Sequence, residues 1–491
     1  YATAGGASGT VTLQGASGSL TDLQALHDDS SIDISTASIS ITGTVSKGNL
    51  TTANTFTNKT VTVANTFSGS YTDMTDIYGV RPTEAGGDGV DISTASITLT
   101  GTIDYDKANT VNGYTNKTVT VGTLTDTMSK ITDVYGLKPA LGAVDGVSIA
   151  SAAITATSAV SKANADTLNT YTLGQVTLQS VEDVYAELIK IDALTTSEVS
   201  MAAADVKVTD SVDKTKVDAL LADTTGTVTI GILSEDKADI NIIGKNNYGG
   251  GHANVKYNKA SLAGATINVS DTVNKSEAEA IELLLGGSGS VVLSDFTGTA
   301  TEFTNKAGSV GVNARINAAS STVTITDAVS KSTANSLNTL AGAKVTLQSV
   351  EDNYLNLIAI DSINSAQVVM AAAAVKVTDS VDKTKVDALL DDTTGTVTVA
   401  LITESASNLK LIGKSDYGAG HANIEYDTLS LAGAALTVTG TTNKADALVL
   451  KGYATAGGAS GTVTLQGASG SLTDLQALHD DSSIDISTAS I

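Results

Sequence analysis

The chain has 491 residues, with 28 basic and 52 acidic side chains (a net charge of −24), 41% hydrophobic residues, four Phe, two Pro, and neither Cys nor Trp. That inventory excludes disulfides and Cys-ligated zinc, and its acidity argues against nucleic acid or anionic lipid as a partner. No run of ~18 apolar residues is present to span a membrane, and the core must be thin, built from Val, Ile, Leu and Ala.

The chain opens on YATAGGASGTVTLQGASGSLTDLQALHDDSSIDISTASI at 1–39, and the same letters return at 453–491. Identity across every position implies a tandem copy. The expectation is that residues 1–452 are one full period, cut from a longer chain, and 453–491 the start of the next identical period. Ser19 and Asp22 have the spacing of a capping box, predicting a short helix behind Ser19, and Ser70/Asp73, Ser180/Asp183 and Ser349/Asp352 repeat it. Behind Ser180, the residues Val181, Val184, Tyr185, Leu188 and Ile189 read as one helical stripe. Asp28, Asp29 and Asp33, which recur as Asp480, Asp481 and Asp485, gather carboxylates that are candidate calcium ligands, with a solvated loop as the plainer reading.

Sub-repeats follow, near 33–90, 91–148, 154–322 and 323–452. DISTASISITGTV at 33–45 answers DISTASITLTGTI at 91–103, an offset of 58. Gly86–Ile92 (GGDGVDI) resembles the start of a Gly/Asp-rich calcium nonapeptide, making Asp88 and Asp91 further candidates, although Ile92 comes a place early and no adjacent copy follows. Residues 80–90 and 137–147 read as Gly-containing loops, each with one proline, Pro82 or Pro139. Further on, VTLQSVED at 176–183 recurs at 345–352 and DSVDKTKVDALL at 210–221 recurs at 379–390, an offset of 169.

One small formula runs through all of this. An alternating strand such as Val375–Asp379 places Val375 and Val377 on one side and Lys376 and Thr378 on the other. A capping residue then precedes Lys, at Ser46, Ser161, Asp213, Asn274, Ser330, Asp382 and Asn443, and a short helix follows. In Asp213–Leu221 the apolar positions Val217, Leu220 and Leu221 form its stripe. A Gly-containing loop leads to the next strand, as at Gly226–Ile230. The stretches 231–262 and 400–431, which carry KxxYGxGHAN, break the rhythm and read as insertions, such as extra hairpins.

No single unit can bury its apolar face, but stacked units can. The fold expected is a right-handed β-solenoid with parallel strands stacked along an axis and short helices in the crossovers, a tandem-repeat architecture. About 16–20 rungs at ~4.8 Å would give an axial length on the order of 80–95 Å per period. A string of separate small α/β or Ig-like domains is the rival, and no Pro- or Ser/Gly-rich linker supports it. The formula, seen in VTITDAVSKSTANSLNTLAGAKVTL at 323–347 and INVSDTVNKSEAEAIELLLGGSGSVVL at 267–293, resembles the repeats of giant bacterial surface proteins of the cyanobacterial type. That resemblance implies an extracellular or cell-surface, repetitive, non-enzymatic protein.

Little in the sequence points to catalysis. The four histidines occupy two repeat positions, His27/His479 and His252/His421, neither with metal-type spacing. No nucleophile elbow followed by a convincing acid and His is seen, nor a phosphate loop ending in Gly-Lys-Ser/Thr. Calcium is the one cation these residues suggest. Sequons at Asn49, Asn58, Asn116, Asn268 and Asn274 offer sites for surface glycans, though a Thr-rich chain produces such triplets by chance. The function expected is a structural component of an extracellular filament or surface layer, self-associating by continuation of its repeats. An adhesin stalk carrying a binding domain elsewhere is the alternative, and a polysaccharide-degrading β-helix enzyme a distant third.

Overall fold

The computed structural model describes residues 9–83, 87–139, 145–194, 198–244, 255–307, 315–317, 321–341, 344–363, 367–413 and 426–491. The chain forms two compact units, residues 1–232 with 246–261 and residues 233–245 with 262–491. Each is built of parallel strands with short helices in the crossovers, so the solenoid-like repeat architecture with helical crossovers is what the sequence folds into.

Local chemistry sets the elements. In the strand Ala374–Val381, Val375 and Val377 are buried while Lys376 and Thr378 are exposed, as the alternation demands. All seven expected caps are in place. Ser46, Ser161, Asp213, Asn274, Ser330, Asp382 and Asn443 each accept a backbone N–H three residues ahead, and each helix begins at the following Lys. The helices are too short to persist alone in water. They hold because each buries a pair such as Val217 and Leu220, or Ala334 and Leu337.

The register shows how the sheet propagates. In the second unit, Val323–Ile325 pairs with Val345–Leu347, and after a one-residue bulge Ala328–Val329 pairs with Ser349–Val350. The strand Val345–Asp352 then has two partners on its other edge. Its start pairs with the short strand Val368–Val369 and its end with the start of Ala374–Val381. Each such step moves the next long strand half a strand length sideways. The first unit repeats the step, where Val176–Asp183 pairs with Val199–Ser200 and with the start of Asp205–Val212. Strands opening a step begin at Ala153, Asp205, Thr266, Thr322, Ala374 and Ala435, so the steps run 52, 61, 56, 52 and 61 residues, and any three in succession make the 169-residue offset.

A buried threonine locks three of these six steps, and Leu285, Ala341 and Ala454 take its place in the other three. Thr224 donates its hydroxyl to the Ala204 carbonyl at 2.6 Å and accepts the Gly226 N–H at 2.9 Å. Thr172 and Thr393 make the same pair of bonds, and Thr57 and Thr115 make it where Lys59 or Lys117 stands in place of glycine. Gly226 is required there, because a Cβ would lie 2.1 Å from the Ala204 carbonyl oxygen.

One expectation needs correction. Ser19 and Ser70 do form capping boxes with Asp22 and Asp73. Ser180–Asp183 and Ser349–Asp352, however, are strand, and the helices start at Tyr185 and Tyr354. Val181 belongs to the strand's buried side, and the helix buries Leu188 and Ile191. Parallel partners on both edges of Val176–Asp183 outweigh a local capping signal. In the stretches 231–262 and 400–431, the described residues include the helices Lys237–Gly244 and Ala406–Ile412. Their KxxYGxGHAN segments, 245–254 and 414–423, lie wholly outside the described residues.

Candidate functional site

The most site-like feature is a series of carboxylates aimed at helix N-termini on a neighbouring rung. Asp126, Asp183, Asp352 and Glu404, at strand ends, accept the first helical N–H of Tyr105, Lys162, Lys331 and Lys383 at 2.9–3.3 Å. The other oxygen of each accepts the next N–H of its own chain, that of Thr127, Val184, Asn353 and Ser405. Asp210, Asp271, Asp327 and Asp379 do the same for Tyr185, Lys237, Ala300 and Tyr354 at 2.7–2.8 Å. Asp271, Asp327 and Asp379 sit at the strand bulges, which redirect a side chain out of the pleat. Gly101 and Gly440 occupy the same bulge with positive φ of 82° and 77° and supply no cap. Thus part of the chain's acidity joins rung to rung, with the helix dipole favouring the charge.

Burial alone would push the carboxyls of Asp352 and Glu404 up. Hydrogen bonds from Asn356 and the Lys331 and Asn353 N–H groups, and from the Ser405 and Lys383 N–H groups, outweigh it and hold both below the ordinary carboxylate range. Asp392 goes the other way. Burial, then repulsion from Asp361 and Asp391, pushes it up to about 6. Asp223, one 169-residue offset earlier, is raised by burial and by Asp192.

A second recurrent cluster sits where each KxxYGxGHAN stretch rejoins the sheet. Tyr426 is 1% exposed, and its hydroxyl donates to Asp387 at 2.8 Å, while Lys383 pairs with the other Asp387 oxygen at 2.6 Å. Tyr257, Asp218 and Lys214 occupy the matching places, with Lys256 at 3.0 Å from Asp218. In each copy the carboxylate ties the segment after the motif to the helix that carries the Lys and Asp.

Of the calcium candidates, Asp29, Asp33 and Asp91 are engaged in turns. Asp29 and Asp33 accept the N–H groups of Ser31 and Ser35 at 2.9 Å, and the hydroxyls of those serines, then their N–H groups, hold the carboxyls low. Asp28 accepts from Gln24 and contacts His27. Asp91 accepts the Ser93 N–H at 2.9 Å within the segment that follows the strand Gly89–Asp91, and Asp88 is exposed. Gly86 and His252 and His421 lie outside the described residues. Among the described residues, no three His, Cys, Asp or Glu side chains form a group able to hold a metal ion. Of the sequon asparagines, Asn49 accepts the Ser46 N–H, Asn274 accepts the Glu277 N–H and Asn268 donates to Ser234, while Asn58 and Asn116 are exposed.

A cavity of about 430 Å³ in the second unit is lined by Gly413, Leu429, Leu431, Val449 and Tyr453 among others. Among the described residues its wall has no carboxylate, lysine or histidine. No helix is long and apolar enough to cross a membrane among the described residues. The sequence reading missed the rung-to-rung caps entirely. Their signal was the Asp that repeatedly ends VTD, VSD and VED. No family model, curated protein or solved structure matches the chain.

Proposed function

We propose that this protein is a structural component of an extracellular filament or cell-surface layer, built by continuation of its tandem repeats, and that it is not an enzyme. The observation that carries this reading is the junction between periods. The helix Lys444–Ala454 runs across the 452/453 boundary without a break. The next period's strand Thr462–Ser469 then pairs with Ala435–Asn443 from Ala435↔Thr462 to Asn443↔Ser469, the bulge included. Lys451 on one side pairs with Asp481 on the other at 2.7 Å. A new period therefore joins by the same contacts that join rungs inside a period, with no linker. Repeated side chains are spent on caps and staples, which suits a framework whose stability is a sum over neighbours. The resemblance to giant bacterial surface proteins supports the same placement.

Electron microscopy of the full-length native protein, with and without a calcium chelator, tests it. Long filaments of uniform width with a single axial repeat support the reading, and loss of order on chelation would add calcium through the acidic turns. Discrete short rods unchanged by chelator would replace it with the adhesin stalk.

A further inference from the structure

Three ring pairs in the first unit occupy equivalent repeat positions. His27 stacks on Phe56 with centroids 4.6 Å apart, Tyr78 on Tyr114 at 3.8 Å, and Tyr135 on Tyr171 at 3.8 Å. The two tyrosine pairs are nearly parallel, with interplanar angles of 11° and 14°. Each joins one helix to the next along the chain. Tyr78 lies in Tyr71–Gly79 and Tyr114 just beyond Tyr105–Asn112, while Tyr135 lies in Met128–Gly136 and Tyr171 ends Lys162–Tyr171. A cation lies over one ring of each pair, Arg81 at 4.0 Å from Tyr78 and Lys138 at 4.1 Å from Tyr135. All four tyrosines are half-buried, so an oxidant can reach them while packing keeps each ring on its partner.

We infer that Tyr78/Tyr114 and Tyr135/Tyr171 are two oxidative cross-linking sites, converted to dityrosine by a peroxide-type one-electron oxidant. Each phenol loses one electron and one proton to give a phenoxyl radical. The two radicals join by a new C–C bond between ring carbons ortho to the oxygens, and the two displaced ring hydrogens return to the oxygens as both rings regain aromaticity. The pair loses two hydrogens in all, and one hydrogen peroxide is reduced to two waters. Rings held in contact have the advantage of an intramolecular reaction over any encounter between separate tyrosines. The product would bolt consecutive helices together covalently in a chain that has no Cys to do so. His27/Phe56 cannot couple in this way and serves as an internal control. The inference is independent of the filament reading.

The test treats the full chain with a haem peroxidase and hydrogen peroxide, then maps linked peptides by mass spectrometry. Expected are 78–114 and 135–171 links, each two hydrogens lighter, at yields at least about tenfold above any other tyrosine pair. Tyr114→Phe should abolish the first link and leave the second, Tyr171→Phe the reverse, with circular dichroism confirming that both variants fold. Performing the reaction in strong urea should remove the preference. Links spread evenly over the 14 tyrosines, links mainly between chains, or no dityrosine in a folded sample would each overturn the assignment.

Discussion

Replacing Thr224 by Val tests whether the buried threonine staple, and not only apolar stacking, holds one rung to the next. The side chain is 4% exposed, and its hydroxyl bridges the Ala204 carbonyl and the Gly226 N–H at 2.6 and 2.9 Å. Valine keeps the shape and removes both bonds. A buried group left without its partner costs about 1–3 kcal/mol, so two give roughly 2–6 kcal/mol before relaxation. The added methyl returns about 0.8 kcal/mol, and partial rehydration lowers the sum further, leaving an expected loss of about 2–4 kcal/mol. Thr224→Ser retains both bonds and should lose only about 1 kcal/mol for the missing methyl. Urea unfolding followed by circular dichroism gives the readout, with the midpoint falling while the slope stays constant. Thr393→Val, with bonds of 2.7 and 2.9 Å in the second unit, should reproduce the effect. If valine costs no more than serine at both positions, the staple contributes nothing and the reasoning fails.

Asp352→Asn removes a charge that accepts from Lys331, Asn353 and Asn356, and should cost about 1.5–3 kcal/mol in the same urea assay, with Asp352→Glu recovering little of it. Gly226→Ala drives a methyl to 2.1 Å from backbone and should destabilise more than Gly101→Ala, where no atom lies within 4 Å and only the φ of +82° is strained, at about 1–2 kcal/mol; thermal melts of the two variants rank them. Asp392→Asn is expected to stabilise at neutral pH by on the order of 1 kcal/mol, allowing for solvent screening. The folded carboxyl, at about 6, holds its proton longer than the unfolded one at 3.8. Wild-type stability should therefore fall as pH rises from about 4 to about 6 on this group's account, and the variant should lack that slope, which melts across the window would show. Asp352 and Glu404, held low, act oppositely, so their contribution is lost as pH falls below the ordinary carboxylate range.

What was legible in the sequence is what depends on neighbours within a few residues. Ser161 before Lys162 caps a helix because the N–H it accepts belongs to Asn164, three residues on. Val375 and Val377 alternate with Lys376 and Thr378 because the pleat has a period of two. Ser180 and Asp183 misled for the same reason. Their spacing suits a local capping box, yet Asp183 binds the N–H of Lys162, 21 residues back, and Ser180 pairs in the sheet with Asp205. Once strands stack in parallel, the partner of a polar residue is one rung away, at a distance set by helix and loop length and by no local period. The aromatic stacks hid in the same way, since Tyr78 and Tyr114 stand 36 residues apart and look like isolated surface rings until the rungs align. Asp29 and Asp33, grouped because they are near in sequence, each accept the N–H two residues ahead. An acidic repeat chain of this kind is therefore best read by offsetting it by one rung and asking which carboxylate then faces which helix N-terminus. At Asp126, Asp183, Asp352 and Glu404 that offset is 21 residues each time, short enough to be found by eye once the rung length is known.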